Sequence, residues 1–520
     1  MCILNGYTDK SISPDSCHFG KSSLHINQTG RSLATHFKVN CDVSSGQMNI
    51  NKIAIIGGGP SGLVTLNELL HTSKDGTSTI QSFEVEKNRI SDDPAFEKIV
   101  VFEQGQDIGG VWKYSEERDP SFPKCDPNNY HRPEFVSPAF ECPPSEELKC
   151  TSREKPFCRD ISSQSSTWTK SGIYKHLFTN VPNNLMRFSS GLDIEIPGTA
   201  SHENPYYPFV THQQVLQYLE EYTRVNNLRE YIRFNSTVVK LHKVDGKWRV
   251  TVLNKGDESS KDKWYIEDFD AVVLATGRFN IPFVPYVEGM CEYNESHPTV
   301  ISHTKAYREV EEYRGKKVLV VGSSISAIDL LQYLIPAARE VWVASDRKVE
   351  RGGHVKEGQW IHDILSDENA KFHRCRRIQR IHTDGGVEFT DGSIQYDFEK
   401  ILFATGYHLS YPFLDVPENA GKEYIRILSG KHGSENHAQT KSDGLFMHTF
   451  SVVDPTLAFV GIAHNPLIFL TSEANAMAIS GVWSGSRELP PVAEQVDWCA
   501  EKLDLERVGL QMIDENDLKD

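Results

Sequence analysis

The run IAIIGGGPSG, residues 53–62, constrains the fold more than any other feature of the chain. An apolar stretch ends in a cluster that satisfies G-x-G-x-x-G with Gly57, Gly59 and Gly62, and Leu63, Leu66 and Leu70 follow at helical spacing. The first glycine of such a cluster makes the tight turn, the second lets backbone approach a dinucleotide pyrophosphate, and the third lets helix pack on strand. The N-terminus of the helix then favours the phosphate charge. Gly57, Gly58, Gly59, Pro60, Ser61 and Gly62 are therefore candidate cofactor-binding residues, with a plain structural turn as the alternative.

The unit recurs in VLVVGSSISAIDLL, residues 318–331. Gly322 keeps the tight turn, while Ser324 and Ala327 stand where glycines are usual, and an Ala-Thr-Gly turn follows each unit, at 275–277 and 404–406. The clearest predicted strands are IVVFE (99–103), AVVLATG (271–277), KVLVVG (317–322), EVWVAS (340–345) and KILFATG (400–406). The clearest helices are THQQVLQYLEEY (211–222) and SAIDLLQYL (326–334). Strands alternating with helices predict an α/β fold. Two glycine turns predict two Rossmann-like dinucleotide-binding domains.

Composition bounds what such a fold can do. With 55 basic and 71 acidic residues the formal charge is −16, against a nucleic-acid partner. The longest apolar candidate, LAFVGIAHNPLIFL (457–470), is broken by His464, Asn465 and Pro466, so no membrane-spanning segment is expected. MCILNGYTDK is too short in its apolar part, and lacks the basic start, for a signal peptide. These features predict a cytoplasmic protein. Ten cysteines show no C-x-x-C spacing. The four between 125 and 158 read as exposed free thiols in a loop rather than as a metal site, so no metal is expected. Residues 1–50 read as a disordered extension, with Met48 just before the first strand. Residues 71–98 and 113–170, charged and rich in Pro, Ser and Glu, read as loops outside the core.

Two further positions belong to the first turn. Glu103 closes the second strand and can hold ribose hydroxyls, with a solvated strand-end glutamate as the alternative; 103 − 62 = 41 residues separate it from the last glycine, against about 20 in the usual motif, and the polar loop 71–98 accounts for the excess. In GQDIGGVWKY (105–114), Gly109 and Gly110 precede Val111 and Trp112, whose indole can lie against a flat ring system or simply fill a core.

Taken together, GGGPSG, FEQGQDIGGVW (102–112), IYKHLFTNVPNNLMRFS (173–189), FVTHQQVLQYLEEY (209–222), FATGYHLSYPFLD (403–415) and SGSRELP (484–490) resemble the flavin-containing monooxygenases in kind and order, and the long insertion after Trp112 is similar to fungal members, some of which oxidise thiols. The resemblance spans about 51–490, excluding 71–98 and 113–170. It implies FAD and NADPH as cofactors, with a hydride passing between two facing sites. It also implies transfer of one oxygen atom from O₂, through a flavin C4a-hydroperoxide, to thiols, thioethers or amines, as in an N,N-dimethylaniline monooxygenase. The implied layout is a FAD domain in two parts, 51–280 and 398–520, with an NADPH domain, 281–397, inserted in it. Peripheral attachment to the endoplasmic reticulum is compatible with the family; the oligomeric state is not legible.

The resemblance also assigns residues. Thr179, Asn180 and Val181 fall in the stretch that the family places near the flavin, with Asn180 as the catalytic candidate; a loop-capping asparagine is the alternative. Gly322, Ser323, Ser324, Ile325 and Ser326 would form the NADPH turn. In ASDRK (344–348), Ser345 and Arg347 suit a 2′-phosphate, whereas Asp346 would repel it and favour NADH. The family signature F-x-G-x-x-x-H-x-x-x-[FW] corresponds to SHPTVISHTKAY (296–307), which keeps His303 and the aromatic Tyr307 but has His297 for Phe and Thr299 for Gly. His303 is thus a candidate site residue, with a structural role as the alternative. Two other functions compete. A disulfide reductase of the thioredoxin-reductase type would need the missing C-x-x-C. A nucleotide-binding protein without catalysis would consume no NADPH with oxygen.

Overall fold

The computed structural model describes residues 48–80, 89–120, 122–160, 168–189, 192–194, 208–255, 261–346, 371–415, 424–429, 436–463, 465 and 467–502. The expected N-terminal extension up to residue 47 and the candidate Arg347 lie outside them.

Strand β1 (Lys52–Ile56) is buried after its first residue and runs into helix α1 (Pro60–Leu70), which has Pro60 in its first turn, where no N–H partner is needed. Strand β2 (Lys98–Phe102) pairs with β1 in parallel, Ile53 opposite Ile99 and Ile56 opposite Phe102. A short strand, β3 (Phe157–Arg159), follows within the insertion. Helix α2 (His212–Val225) is closed by a capping box, with Thr211 and Gln214 each satisfying the other's backbone N–H. After β4 (Ile232–Arg233) come three antiparallel strands, β5 (Ser236–Val244), β6 (Lys247–Asn254) and β7 (Asp262–Phe269), and then β8 (Ala271–Leu274).

Helix α3 (Met290–Ser296) precedes the second set: β9 (Ile301–His303), β10 (Lys317–Val321), α4 (Ile325–Ala337), β11 (Glu340–Ala344), β12 (Phe372–Cys375) and β13 (Lys400–Phe403). The chain then returns through β14 (Leu445–Phe446), β15 (Phe450–Ser451), β16 (Leu457–Phe459) and α5 (Ile468–Trp483).

Strands β3, β7, β6 and β5 form an antiparallel sheet in that order, and the others fall into two larger sheets. The first has the order β14-β15-β16-β8-β1-β2-β4 and is parallel from β16 to β4; the second, β9-β13-β10-β11-β12, is parallel throughout. The second is contained in sequence between β8 and β14 of the first. The chain enters and leaves this middle stretch side by side, since Ile281 and Pro282 pair antiparallel with His408 and Tyr407.

Alternation along β1 explains both faces of the first sheet. Ile53 and Ile55 pack with Leu63 and Leu66 of α1, Leu219 of α2 and Phe469 of α5. Ala54 and Ile56 face Trp248 and Val250 of the β5–β7 meander. The second sheet does the same: Val318 and Val320 meet Ile328 and Leu331 of α4, while Leu319 and Val321 meet Phe389 and Phe403.

The expectation that 113–170 stays outside the core is wrong. Phe122 and Tyr130 pack in the cluster of Leu319 and Val321, Leu148 packs against Trp264, and β3 pairs with β7. A polar composition conceals this because a few large side chains carry the burial. Phe96, in the other expected loop, is buried beside β1. The reading of four free thiols needs the same correction: Cys125 is disulfide-bonded to Cys291 in α3, whereas Cys142, Cys150 and Cys158 are free. Partners 166 residues apart cannot be read from spacing. Disulfides are rare in the cytosol, so the cytoplasmic expectation draws no support from the cysteines. Among the described residues no helix is long and apolar enough to cross a membrane.

Candidate active site

The two glycine turns have the same geometry. Gly57 (φ 112) and Gly322 (φ 110) each follow a central strand, and each N–H donates to the carbonyl of the last residue of the neighbouring strand, Phe102 or Ala344. A Cβ on Gly57 would lie 2.4 Å from the Ala275 carbonyl oxygen, and one on Gly322 would lie 2.7 Å from that of Ala404. Each turn is therefore built against its own Ala-Thr-Gly turn.

Glycine is required for different reasons along the first turn. A Cβ at Gly62 would sit 1.9 Å from the Gly57 carbonyl oxygen, so the close approach of helix and strand excludes one. At Gly59 the nearest atom would be Gly110 Cα at 3.6 Å, ordinary contact. Protein packing leaves Gly59 room for a side chain, and a pyrophosphate would take that room. In the second turn Ala327, fully buried, takes the place of Gly62, and Ser324 takes that of Gly59.

The helices behind these turns differ from α2 in a telling way. Gly59 and Ser324 are the N-caps of α1 and α4, and neither helix has a side-chain cap, although serine is a good capping residue. Uncapped first turns leave N–H groups for an anion. Both face one cleft of about 2630 Å³, lined by Gly57, Gly59, Pro60 and Ser61 from one side and Gly322, Ser323, Ser324, Ile325 and Ser326 from the other. Ligand pockets commonly span roughly 300–1,000 Å³, so this cleft has room for more than one ligand.

The remaining candidates line the same cleft. Glu103 is buried and accepts from the N–H groups of Gly58 and Gly105, both at 2.6 Å. Burial pushes its carboxyl upward against those two bonds. Gly110 lies against Gly59, carrying Val111 and Trp112 into the lining. Thr179 is buried, its hydroxyl donating to the Val181 carbonyl at 2.7 Å. Asn180, between them, is exposed in the cleft wall, and its amide has no protein partner among the described residues.

His303 does not face the cleft. It is 1 % exposed, with Nε2 3.0 Å from the Gly406 carbonyl oxygen and Nδ1 accepting from Lys305 N–H at 3.1 Å. Burial lowers its pKa to about 3, which keeps the ring neutral. In this structure it braces the second Ala-Thr-Gly turn, the structural alternative.

Several residues in and behind the cleft wall escape the sequence reading. Arg377 follows β12 and forms an ion pair with Asp346 at the carboxyl end of β11. Its charge offsets the one that Asp346 would set against a 2′-phosphate. Ligands of doubly wound sheets gather at the carboxyl ends of strands, so a basic residue just past a further strand was the available signal. Asp329 of α4 takes a hydrogen bond from the Tyr174 hydroxyl, and burial raises its pKa to about 6. Arg278, next to the first Ala-Thr-Gly turn, donates to the Ile462 carbonyl at 2.7 Å. Lys305, two residues from His303, is buried, and desolvation lowers its pKa to about 8 against the pull of Asp119. Among the described residues no cluster of His, Cys, Asp or Glu is placed to hold a metal ion.

Two uncapped helix N-termini across one cleft, each behind a strand and a glycine turn, have the geometry that two dinucleotides require. The family described as Flavin-binding monooxygenase-like matches residues 161–368. The chain is 25 % identical over 459 residues to flavin-containing monooxygenase FMO GS-OX3 of Arabidopsis thaliana, covering 87 % of this chain and 77 % of that one. It is 26 % identical over 477 residues to flavin-containing monooxygenase iboF of Amanita muscaria, covering 85 % and 80 %. S-allyl-L-cysteine S-oxygenase from Allium sativum superposes with a TM-score of 0.60 at 26 % identity, over 88 % of this chain and 82 % of that one. The chain is thus similar, over most of its length, to flavin-containing monooxygenases. Members of that family bind FAD and use NADPH, and they are oxidoreductases.

Proposed function

We propose that this protein is an NADPH-dependent FAD monooxygenase that transfers one oxygen atom from O₂ to a soft nucleophile: a thiol, a thioether or an amine. The observation that carries this reading is the cleft shared by the Gly57–Gly62 and Gly322–Ser326 turns, with the Asn180 amide, which has no protein partner among the described residues, in its wall. FAD would be held by residues 51–280 and 398–520 and NADPH by the middle stretch, 281–397. The bound flavin, reduced by NADPH and exposed to O₂, supplies an electrophilic oxygen.

The chain's own residues do the rest. The N–H groups of the α1 first turn bind one pyrophosphate, and Glu103, whose oxygens keep lone pairs beyond those used by Gly58 and Gly105, accepts from ribose hydroxyls. Ser323, whose hydroxyl is 2.7 Å from that of Ser345, and Ser324 line the second pyrophosphate site. Arg347 and Arg377 take the 2′-phosphate, which makes NADPH the preferred coenzyme. Asn180 donates from its amide to the oxygen being transferred. No acid–base pair is needed for attack by sulfur or nitrogen lone pairs. A cleft that limits water suits this chemistry.

The relatives' names include an S-oxygenase of S-allyl-L-cysteine, which favours a thioether over an amine. The test is direct: purified protein is supplied with NADPH and O₂ and a panel of thiols, thioethers and tertiary amines. Stoichiometric NADPH loss and oxygenated product are expected. NADPH loss that yields only H₂O₂ across the panel, or none at all, would overturn the assignment.

A further inference from the structure

The two ends of the 113–170 insertion grip the segment that carries His303. Arg308 donates from one guanidinium nitrogen to the Glu117 and Ser171 carbonyls, at 2.9 and 3.1 Å. Arg118 forms a two-point pair with Glu312, at 3.0 and 2.7 Å. Between them lies the most deeply buried ion pair of the described residues, Lys305 to Asp119 at 2.8 Å, with side chains 2 % and 5 % exposed.

An ammonium has three N–H donors, and here each has an acceptor: Asp119, the Asn280 carbonyl and the Asn280 side-chain oxygen, the last two at 2.7 Å. Asp119 also accepts from the Thr169 and Lys170 N–H groups, and the Lys305 ammonium lies 5.3 Å from the Trp168 ring centroid. Trp168 has a left-handed backbone (φ 60), uncommon for so bulky a residue, and its indole N–H donates to the Val136 carbonyl at 2.6 Å. Trp168, Thr169, Lys170 and Ser171 line the cleft beside Phe279 and Asn280, and the Ser171 hydroxyl donates to the carbonyl of Val111 in the first site.

Burying two charges is a poor way to gain stability, because the desolvation they undergo offsets their attraction. What directional bonds to both sides of a seam do supply is position. We propose that Trp168–Ser171, where the insertion ends, form the substrate-side wall of the cleft, and that Lys305 is the positioning residue that fixes them through Asp119 and Trp168, so that the Trp168 edge limits the size of the nucleophile admitted. The inference rests on the oxygenation reading given above and adds the element that selects the substrate.

The experiment compares kcat/KM for alkyl methyl sulfides of increasing chain length, alongside amide hydrogen exchange at residues 169–170. Trp168→Ala should raise the preference for long over short sulfides about tenfold, with the rate of flavin reduction by NADPH unchanged. Lys305→Met should shift the profile in the same direction with Trp168 intact, and should speed exchange of the Thr169 and Lys170 amides. Should Lys305→Met fail to retain FAD, the double variant Asp119→Leu/Lys305→Met, which leaves no lone buried charge, is read in its place. An unaltered size profile with product still formed, or parental exchange at 169–170 in the lysine variant, overturns the proposal. Absence of product from the parent on every sulfide sinks the oxygenation reading instead; the exchange measurement, which needs no substrate, still decides whether Lys305 holds the wall.

Discussion

The guanidinium of Arg377 is ion-paired to the carboxylate of Asp346 at the rim of the second glycine turn. The Arg377 N–H also donates to Asp346, at 3.3 Å, so side chain and backbone approach the same acid. On the proposed coenzyme site, an acid that alone would favour NADH is thereby neutralised beside the adenosine ribose.

Arg377→Ala should therefore weaken NADPH much more than NADH. Loss of a charge-assisted contact costs about 1.5–3 kcal/mol, roughly tenfold or more in Kd. Kd values for both coenzymes, from fluorescence titration of the variant, check this. Equal loss for both would make Arg377 a partner of Asp346 alone.

Gly59 and Gly62 should respond differently to the same change. Gly59→Ala and Gly59→Leu should fold, since a Cβ there meets nothing closer than 3.6 Å, but should lose the yellow colour of bound flavin. Gly62→Ala should fail at the level of folding, because its Cβ would stand 1.9 Å from the Gly57 oxygen. Flavin absorbance and far-UV circular dichroism distinguish the outcomes; a Gly59→Leu protein with full flavin content contradicts the first cofactor site.

Asn180→Ala should still bind FAD and be reduced by NADPH, because neither step needs its amide. Oxygen transfer should fail in part, with NADPH oxidation releasing H₂O₂. A lost hydrogen bond of about 1.5–3 kcal/mol changes partitioning roughly tenfold or more. The ratio of product to NADPH consumed measures it, and an unchanged ratio would reduce Asn180 to a loop residue.

Glu68, buried in α1 and facing Glu473 of α5, has its pKa raised from 4.5 to about 8, first by burial and then by Glu473. The folded protein thus holds a proton that the unfolded chain releases between those values. Stability is full below about pH 4.5 in this respect and declines as pH rises towards 8, by an amount on the order of a few kcal/mol. Glu68→Gln should flatten that decline, and Tm measured from pH 5 to 9 checks it. Parallel curves for parent and variant would mean that Glu68 carries no extra proton.

The two turns are legible in the sequence because their geometry demands a residue type: an apolar strand, a glycine at φ near 110°, and small residues where helix meets strand. The same holds for Thr211 and Gln214, whose capping box marks the start of α2. Asn180 and Glu103 are legible as positions, since each follows a recognisable segment. What is not legible depends on partners distant in sequence. Cys125 and Cys291 are 166 residues apart, and Lys305 and Asp119 come from segments with no shared pattern. The role of Arg377 appears only when β12 is seen to lie beside β11. Tyr130 and Phe122 read as loop residues because polar neighbours hide an apolar face with no helix or strand period.

The paired strands at Ile281–Pro282 and Tyr407–His408 have a consequence for how such a chain can change. Neighbouring strands lie only about 5 Å apart, so the stretch between them begins and ends at nearly one point in space. A stretch with adjoining ends behaves as a cassette. It can be exchanged whole, or in principle shortened to a hairpin, without pulling apart the sheet that holds the flanking residues. The second glycine turn can then be rewritten while the first is inherited intact.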